Sequence, residues 1–225
     1  GAIFVDGANA HLDGDVFANC SSDRLNGGAV YVKGVNTTIS NSNFSKNRVN
    51  VSNFARGGSV YVAGSDAEIL NSTFDYCIAY DGAVLYIDGA NAHIDGSEFT
   101  HSSAVNDGGA VYASGSNTTI SKCNFIMNRV NIMNGGRGGS INLQGNGAKI
   151  LDCIFERCTA YEGGVVYING TNAVLDNLSC IYSFATNGGA FYLNGNNATI
   201  FNTKVSFNNA TDYGGAIYVA GDFAL

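Results

Sequence analysis

Six cysteines, three histidines and a scatter of carboxylates are the residues of this 225-residue chain that could carry covalent, metal or acid–base chemistry. Their spacing argues against each use. Cys20, Cys77 and Cys158 fall at one position of a repeat, Cys123 and Cys153 at another, and Cys180 replaces a recurring phenylalanine. Thiols at apolar positions behave as small hydrophobes, so all six are expected to be buried and reduced. No Cys-x-x-Cys pair or histidine cluster offers zinc-like ligand spacing, and no metal or cofactor is expected. His11 and His93 occupy equivalent repeat positions beside corner asparagines and read, with His101, as turn residues. Glycosidic cleavage needs two carboxyls roughly 5 to 9.5 Å apart. Asp13, Asp95 and Asp176 share one repeat position, and Asp6 and Asp88 another, but each is three repeats from the next. The expectation is that no column puts carboxylates on adjacent turns. No catalytic residue is assigned, and the chain is not expected to be an enzyme.

Tyrosine and arginine make a different pattern. Phe4, Tyr31, Tyr61, Tyr86, Tyr112, Tyr167, Tyr192 and Tyr218 recur between two apolar positions, broken only by Asn142. Strand alternation sends this position away from the core. The expected result is a flat, outward aromatic strip able to meet a glycan chain or a protein partner; equally, the stacked rings could serve only to hold neighbouring strands together. Two repeats carry inserts, at 45–56 and 126–137, each with an arginine pair: Arg48 with Arg56, and Arg129 with Arg137. Inserts at one corner protrude from one face, so these basic loops are a second candidate contact. Asn-x-Ser/Thr sequons at Asn36, Asn71, Asn117, Asn197 and Asn209 are candidate glycosylation sites and fit an extracellular protein.

The elements that must position these residues come from one repeat. The dyad Gly27-Gly28 returns at Gly57, Gly82, Gly108, Gly138, Gly163, Gly188 and Gly214, about every 25 to 30 residues. A fixed period of this length marks a solenoid. Alternate apolar residues follow each dyad, such as Val30 and Val32, or Leu85 and Ile87. Asn or Asp then marks a corner, at Asn9, Asn36, Asp66, Asn91, Asn117, Asn172 and Asn197. An isoleucine or leucine column follows, then an aromatic one at Phe17, Phe44, Phe74, Phe99, Phe125 and Phe155. Three strands and three corners fit in about 25 residues. The fold class is all-β: a right-handed parallel β-helix, pectate-lyase-like, of about eight coils. Coils about 4.8 Å apart would span roughly 38 Å. A longer period of about 81 residues relates 28–58 to 109–139, a three-coil super-repeat. Residues 1–225 form one segment that begins and ends inside a repeat, and further β-helix coils are expected at both ends.

Composition narrows the partners. A net charge of −7 opposes nucleic acid and anionic membranes. No run approaches the length of apolar sequence that inserts in a bilayer.

The phrases GGA[IV] and FxxN, here Gly27-Gly28-Ala29-Val30 with Phe44-Ser45-Lys46-Asn47 and Gly108-Gly109-Ala110-Val111 with Phe125-Ile126-Met127-Asn128, resemble the repeats of chlamydial polymorphic outer-membrane proteins. The fuller phrase is similar to adhesin-like surface proteins of methanogenic archaea of the Methanobrevibacter type. Cys20, Cys77, Cys158 and Ser102 depart from the asparagine of FxxN. The resemblance covers the whole chain. It implies a cell-surface stalk or adhesin that binds a glycan or protein of another cell, and it carries over no catalytic residue. The alternatives are a carbohydrate-active enzyme with its catalytic groups outside this segment, and a structural spacer.

Overall fold

Strands of two to five residues build the coil, and alternation decides which side chains enter it. The computed structural model describes residues 1–222. Its first sheet comprises Ile3–Val5, Val30–Val32, Val60–Val62, Leu85–Ile87, Val111–Ala113, Ile141–Leu143, Val166–Ile168, Phe191–Leu193 and Ile217–Val219, in chain order. Neighbours are parallel and in register, so Tyr31 pairs with Tyr61 and Val60 with Leu85. The second sheet carries the isoleucine column from His11–Asp13 to Thr199–Phe201. The third carries the phenylalanine column from Val16–Ala18 to Lys204–Ser206. Among the described residues there is no α-helix. This is the parallel β-helix that the spacing predicts.

The coil has four strand columns, not the expected three. Ser21–Ser22, Arg48–Val49, Ile78–Ala79, Ser103–Ala104 and Arg129–Val130 pair in sequence order. Thr159 continues the column through single bridges, and Phe184–Asn187 with Asn209–Tyr213 extends it. Most of these strands have two residues, of which only one enters the coil, too few to show a period of two.

Left-handed backbone turns each corner. Asn9, Asn36, Asp66, Asn91, Asn117, Asn172 and Asn197 have φ between 55° and 59°. Short polar side chains tolerate this region, and here they also bond along the axis. Asn36 Nδ2 donates to Asn9 Oδ1 at 2.7 Å, and Asn117 Nδ2 to Asn91 Oδ1 at 3.1 Å. The dyads turn the last corner: Gly27 has φ 71°, and its neighbour Gly28 passes directly against the backbone of the next coil. Two inserts form single 3-10 turns, Val51–Asn53 and Ile132–Asn134, capped by the side chains of Asn50 and Asn131.

The core follows from register. Phe17, Phe44, Phe74, Phe99, Phe125 and Phe155 stack with centroids 4.6–5.0 Å apart. Beside them runs a buried polar column. Asn47 accepts from the Cys20 amide at 2.8 Å and donates to the Phe17 carbonyl at 2.9 Å. Asn128 does the same for Ser102 and Phe99. Ser102 and Ser183 hydroxyls accept from the amides of Cys77 and Cys158, both at 3.2 Å. The FxxN, FxxC and FxxS variants therefore share one column, in which a polar side chain satisfies the backbone of the preceding coil.

All six cysteines are free, and five are buried; Cys20, expected in the core, is partly exposed in the first coil. Burial pushes the Cys77 and Cys158 thiols up to about 11. A native sample treated with a maleimide at neutral pH should therefore label at Cys20 alone, and all six thiols should react after unfolding without reductant. Mass spectrometry reads the count, and rapid native labelling at Cys77 or Cys158 would contradict the packing.

Candidate ligand-binding face

Alternation places the tyrosine ladder outside the hydrophobic core, opposite the inward valines and isoleucines. Phe4 and Tyr31 begin it with centroids 5.2 Å apart, Tyr86 and Tyr112 stack at 4.7 Å, and Tyr192 and Tyr218 at 4.6 Å. It is not the open strip expected. Tyr61, Tyr86 and Tyr167 are 8%, 4% and 4% exposed. Each lies between adjoining coils, and the long repeats cover what remains. Arg56 and Arg137, expected to protrude, fold back across the ladder. The Arg56 guanidinium sits 4.8 Å from the Tyr86 centroid, with Nε 3.5 Å from Asp81. Arg137 sits 5.2 Å from the Tyr167 centroid, with Nε 3.3 Å from Asp107. The Tyr61 hydroxyl donates to Asp88 at 2.5 Å; burial first, and then this bond, hold that phenol well above its ordinary range.

Asn142 interrupts the ladder and is fully buried. An amide chain leads to it. Asn194 donates to Asn169 at 2.6 Å, Asn169 to Gln144 at 3.0 Å, and Gln144 to Asn142 at 2.6 Å. The Asn142 amide nitrogen has no acceptor among the described residues.

The carboxylate expectation needs correction. Arg56, Asp81, Asp107, Arg137 and Glu162 precede successive dyads and form one column, so Asp81 and Asp107 do lie on adjacent coils. Both are nearly buried, at 6% and 5% exposed, and each is paired with an arginine, so they do not open onto a groove. Asp107 also accepts from the Arg137 amide at 3.0 Å, and Asp81 from Asn106 Nδ2 at 3.0 Å. Burial pushes the Asp107 carboxyl up to about 6, against the pull of Arg137. The folded state then holds its proton more tightly than the unfolded chain, whose aspartates titrate near 3.9. Stability should fall as pH rises from about 4 to about 6. Asp107→Asn should flatten that slope, read as melting temperature against pH. An unchanged slope would assign it to another group.

The open face is the fourth sheet. Arg48, Ile78, Ser103, Arg129 and Thr159 succeed one another along its outer side. Arg48 and Arg129, expected on protruding loops, lie on these strands and are exposed. One lip of the face is the corner after the phenylalanine column: Lys46, Tyr76, His101, Met127, Arg157, Tyr182 and Phe207, all exposed and all with φ between 51° and 57°. Tyr76 stacks on His101 at 4.7 Å, and Tyr182 on Phe207 at 5.3 Å. The other lip is the insert Ile132–Asn134 with its cap Asn131. Between the lips lie depressions of about 550 Å³ near Arg129 and Ile132, about 410 Å³ near Arg48 and Tyr76, and about 230 Å³ among His101, Met127 and Arg129. Large side chains are disfavoured in left-handed backbone by about 1–2 kcal/mol each. Other corners use mainly Asn, Asp or Gly there. Concentration of strained bulky residues at one lip is a sign of function, which the sequence hides because positive φ leaves no mark on residue type here.

Carboxylates on this face are matched. Asp75 accepts from Thr100 at 2.6 Å and meets His101 Nδ1 at 3.1 Å, and Glu156 pairs with Arg157. Among the described residues Lys46, Arg48 and Arg129 have no carboxylate partner. His11 is exposed and His93 half-buried, on the second sheet, away from this face. The sequon residues Asn36, Asn71, Asn117, Asn197 and Asn209 are all exposed. Asn36, Asn117 and Asn197 each use Nδ2 as a donor in the corner ladder, and a glycosylated amide keeps one hydrogen for that bond.

A family model described as right handed beta helix region matches residues 58–222. No curated protein and no solved structure matches the chain.

Proposed function

The chain belongs to the right-handed β-helix family, and from that premise we propose that it is a cell-surface attachment segment, gripping a glycan or protein of another cell along one lateral face. The observation that supports this is the lip Tyr76–His101–Met127–Tyr182–Phe207, where exposed large side chains are held in backbone that would relax with asparagine. The working face is the fourth sheet and its lips; the tyrosine ladder beneath Arg56 and Arg137 stabilises the coils. Contacts repeat from coil to coil, so weak single interactions add through avidity.

The test is the triple variant Tyr76→Asn, Met127→Asn, Tyr182→Asn. Asparagine suits left-handed backbone, so the melting temperature should hold or rise. Retention of protein-coated beads on target cells should fall by about tenfold or more. Undiminished retention by the folded variant would reject this face as the attachment surface.

A further inference from the structure

We propose that the groove on the fourth sheet takes a linear anionic glycan, lying along the solenoid axis with its carboxylate or sulfate groups against Arg48 and Arg129; this rests on the attachment reading. Charge is the first ground. The chain as a whole is acidic, at −7, yet the groove gathers Lys46, Arg48 and Arg129 without carboxylate partners among the described residues. Arginine forks pair in bidentate fashion with planar or tetrahedral oxyanions. The two acids nearby, Asp75 and Glu156, are already engaged by His101 and Arg157.

Spacing is the second ground. Arg48 and Arg129 stand at one position of the same sheet three coils apart, through Ile78 and Ser103. At about 4.8 Å per coil that separation is roughly 14 Å. One coil is close to the advance of one pyranose ring in an extended glycan, so an acidic sugar chain meets the same surface at every step. An extended peptide advances only about 3.3 Å per residue and drifts out of step with the coils. The floor fits the same ligand. Ile78 and Met127 offer apolar contact to sugar C–H faces, while Ser103 and Thr159 offer hydroxyls.

The experiment measures binding of the full chain to immobilised heparin, hyaluronan, dextran sulfate, neutral dextran and polyglutamate, beside bead retention on cells. Heparin or hyaluronan should be bound, and dextran should not. Raising salt from about 0.05 to 0.5 M should weaken binding severalfold. Arg48→Glu with Arg129→Glu should abolish it or lower it at least about tenfold, while Arg48→Lys with Arg129→Lys should keep part of it. Hyaluronan alone would identify carboxylate as the recognised group, and heparin with dextran sulfate alone would identify sulfate. Equal binding to dextran, equal or tighter binding to polyglutamate, or full binding by the folded Glu double variant would overturn the proposal. If no anionic glycan binds while beads still adhere, the ligand class is wrong and the attachment reading stands. If adhesion is absent too, both fail.

Discussion

Gly109→Ala collapses the coil around it, with an expected loss of more than about 4 kcal/mol, in the range reserved for changes that structure cannot absorb. A Cβ at this position would lie 1.9 Å from the Gly139 carbonyl oxygen and 2.7 Å from that of Arg129. Both are backbone atoms of strands fixed on two sides, so neither can move without breaking register. The same substitution at Gly215, the matching dyad position of the last described coil, meets nothing within 4 Å. There alanine should be neutral or stabilise by up to about 1 kcal/mol, since it lowers the entropy of the unfolded chain. Chemical denaturation followed by far-ultraviolet circular dichroism separates the two. Similar midpoints for both variants would mean that coils can part at the dyad, against the packing seen.

Phe99→Ala should cost about 3–5 kcal/mol, the value for deleting a buried aromatic ring whose neighbours cannot close in. Phe99 is fully buried between Phe74 and Phe125, with centroids 5.0 and 4.6 Å away. Rigid coils above and below hold the cavity open. Phe17→Ala should cost less, because Phe17 has one stacked partner and retains some exposure. Phe99→Ala combined with Phe125→Ala should cost less than the sum of the two by about 0.5–1.5 kcal/mol, the worth of the ring pair counted in both single variants. Strict additivity would show that the stack is adjacency without coupling.

Much of this architecture can be read before any coordinates exist. Val30, Val60, Leu85 and Val111 are successive members of one inward column because period and alternation agree at those positions. The direction of Tyr86 was legible for the same reason. Its covering was not, because Arg56 reaches it across a coil boundary from thirty residues upstream. Asp81 and Asp107 escaped notice as neighbours because each sits just outside the apolar pattern, on the wrong side of the dyad for a strand. The fourth sheet and its groove were hidden more deeply. Ile78 and Arg129 differ in chemistry yet occupy one column, and the lip residues Tyr76 and Met127 share only a backbone conformation. Sequence shows repetition of residue type; it does not show repetition of shape under changing type.

Backbone hydrogen bonds in this molecule join coil to coil, as in Val60 N to Val84 O at 2.9 Å and Leu85 N to Ala110 O at 3.0 Å. They point along the axis, the direction in which the two chain ends lie apart. Tension applied through the ends therefore loads one terminal coil at a time, and its bonds part before those of the next coil feel the full force. Each coil that opens releases about 25 residues, roughly 80–90 Å of slack. A tether built this way lengthens in discrete steps under load, and every step dissipates work that would otherwise reach whatever the lateral face is holding.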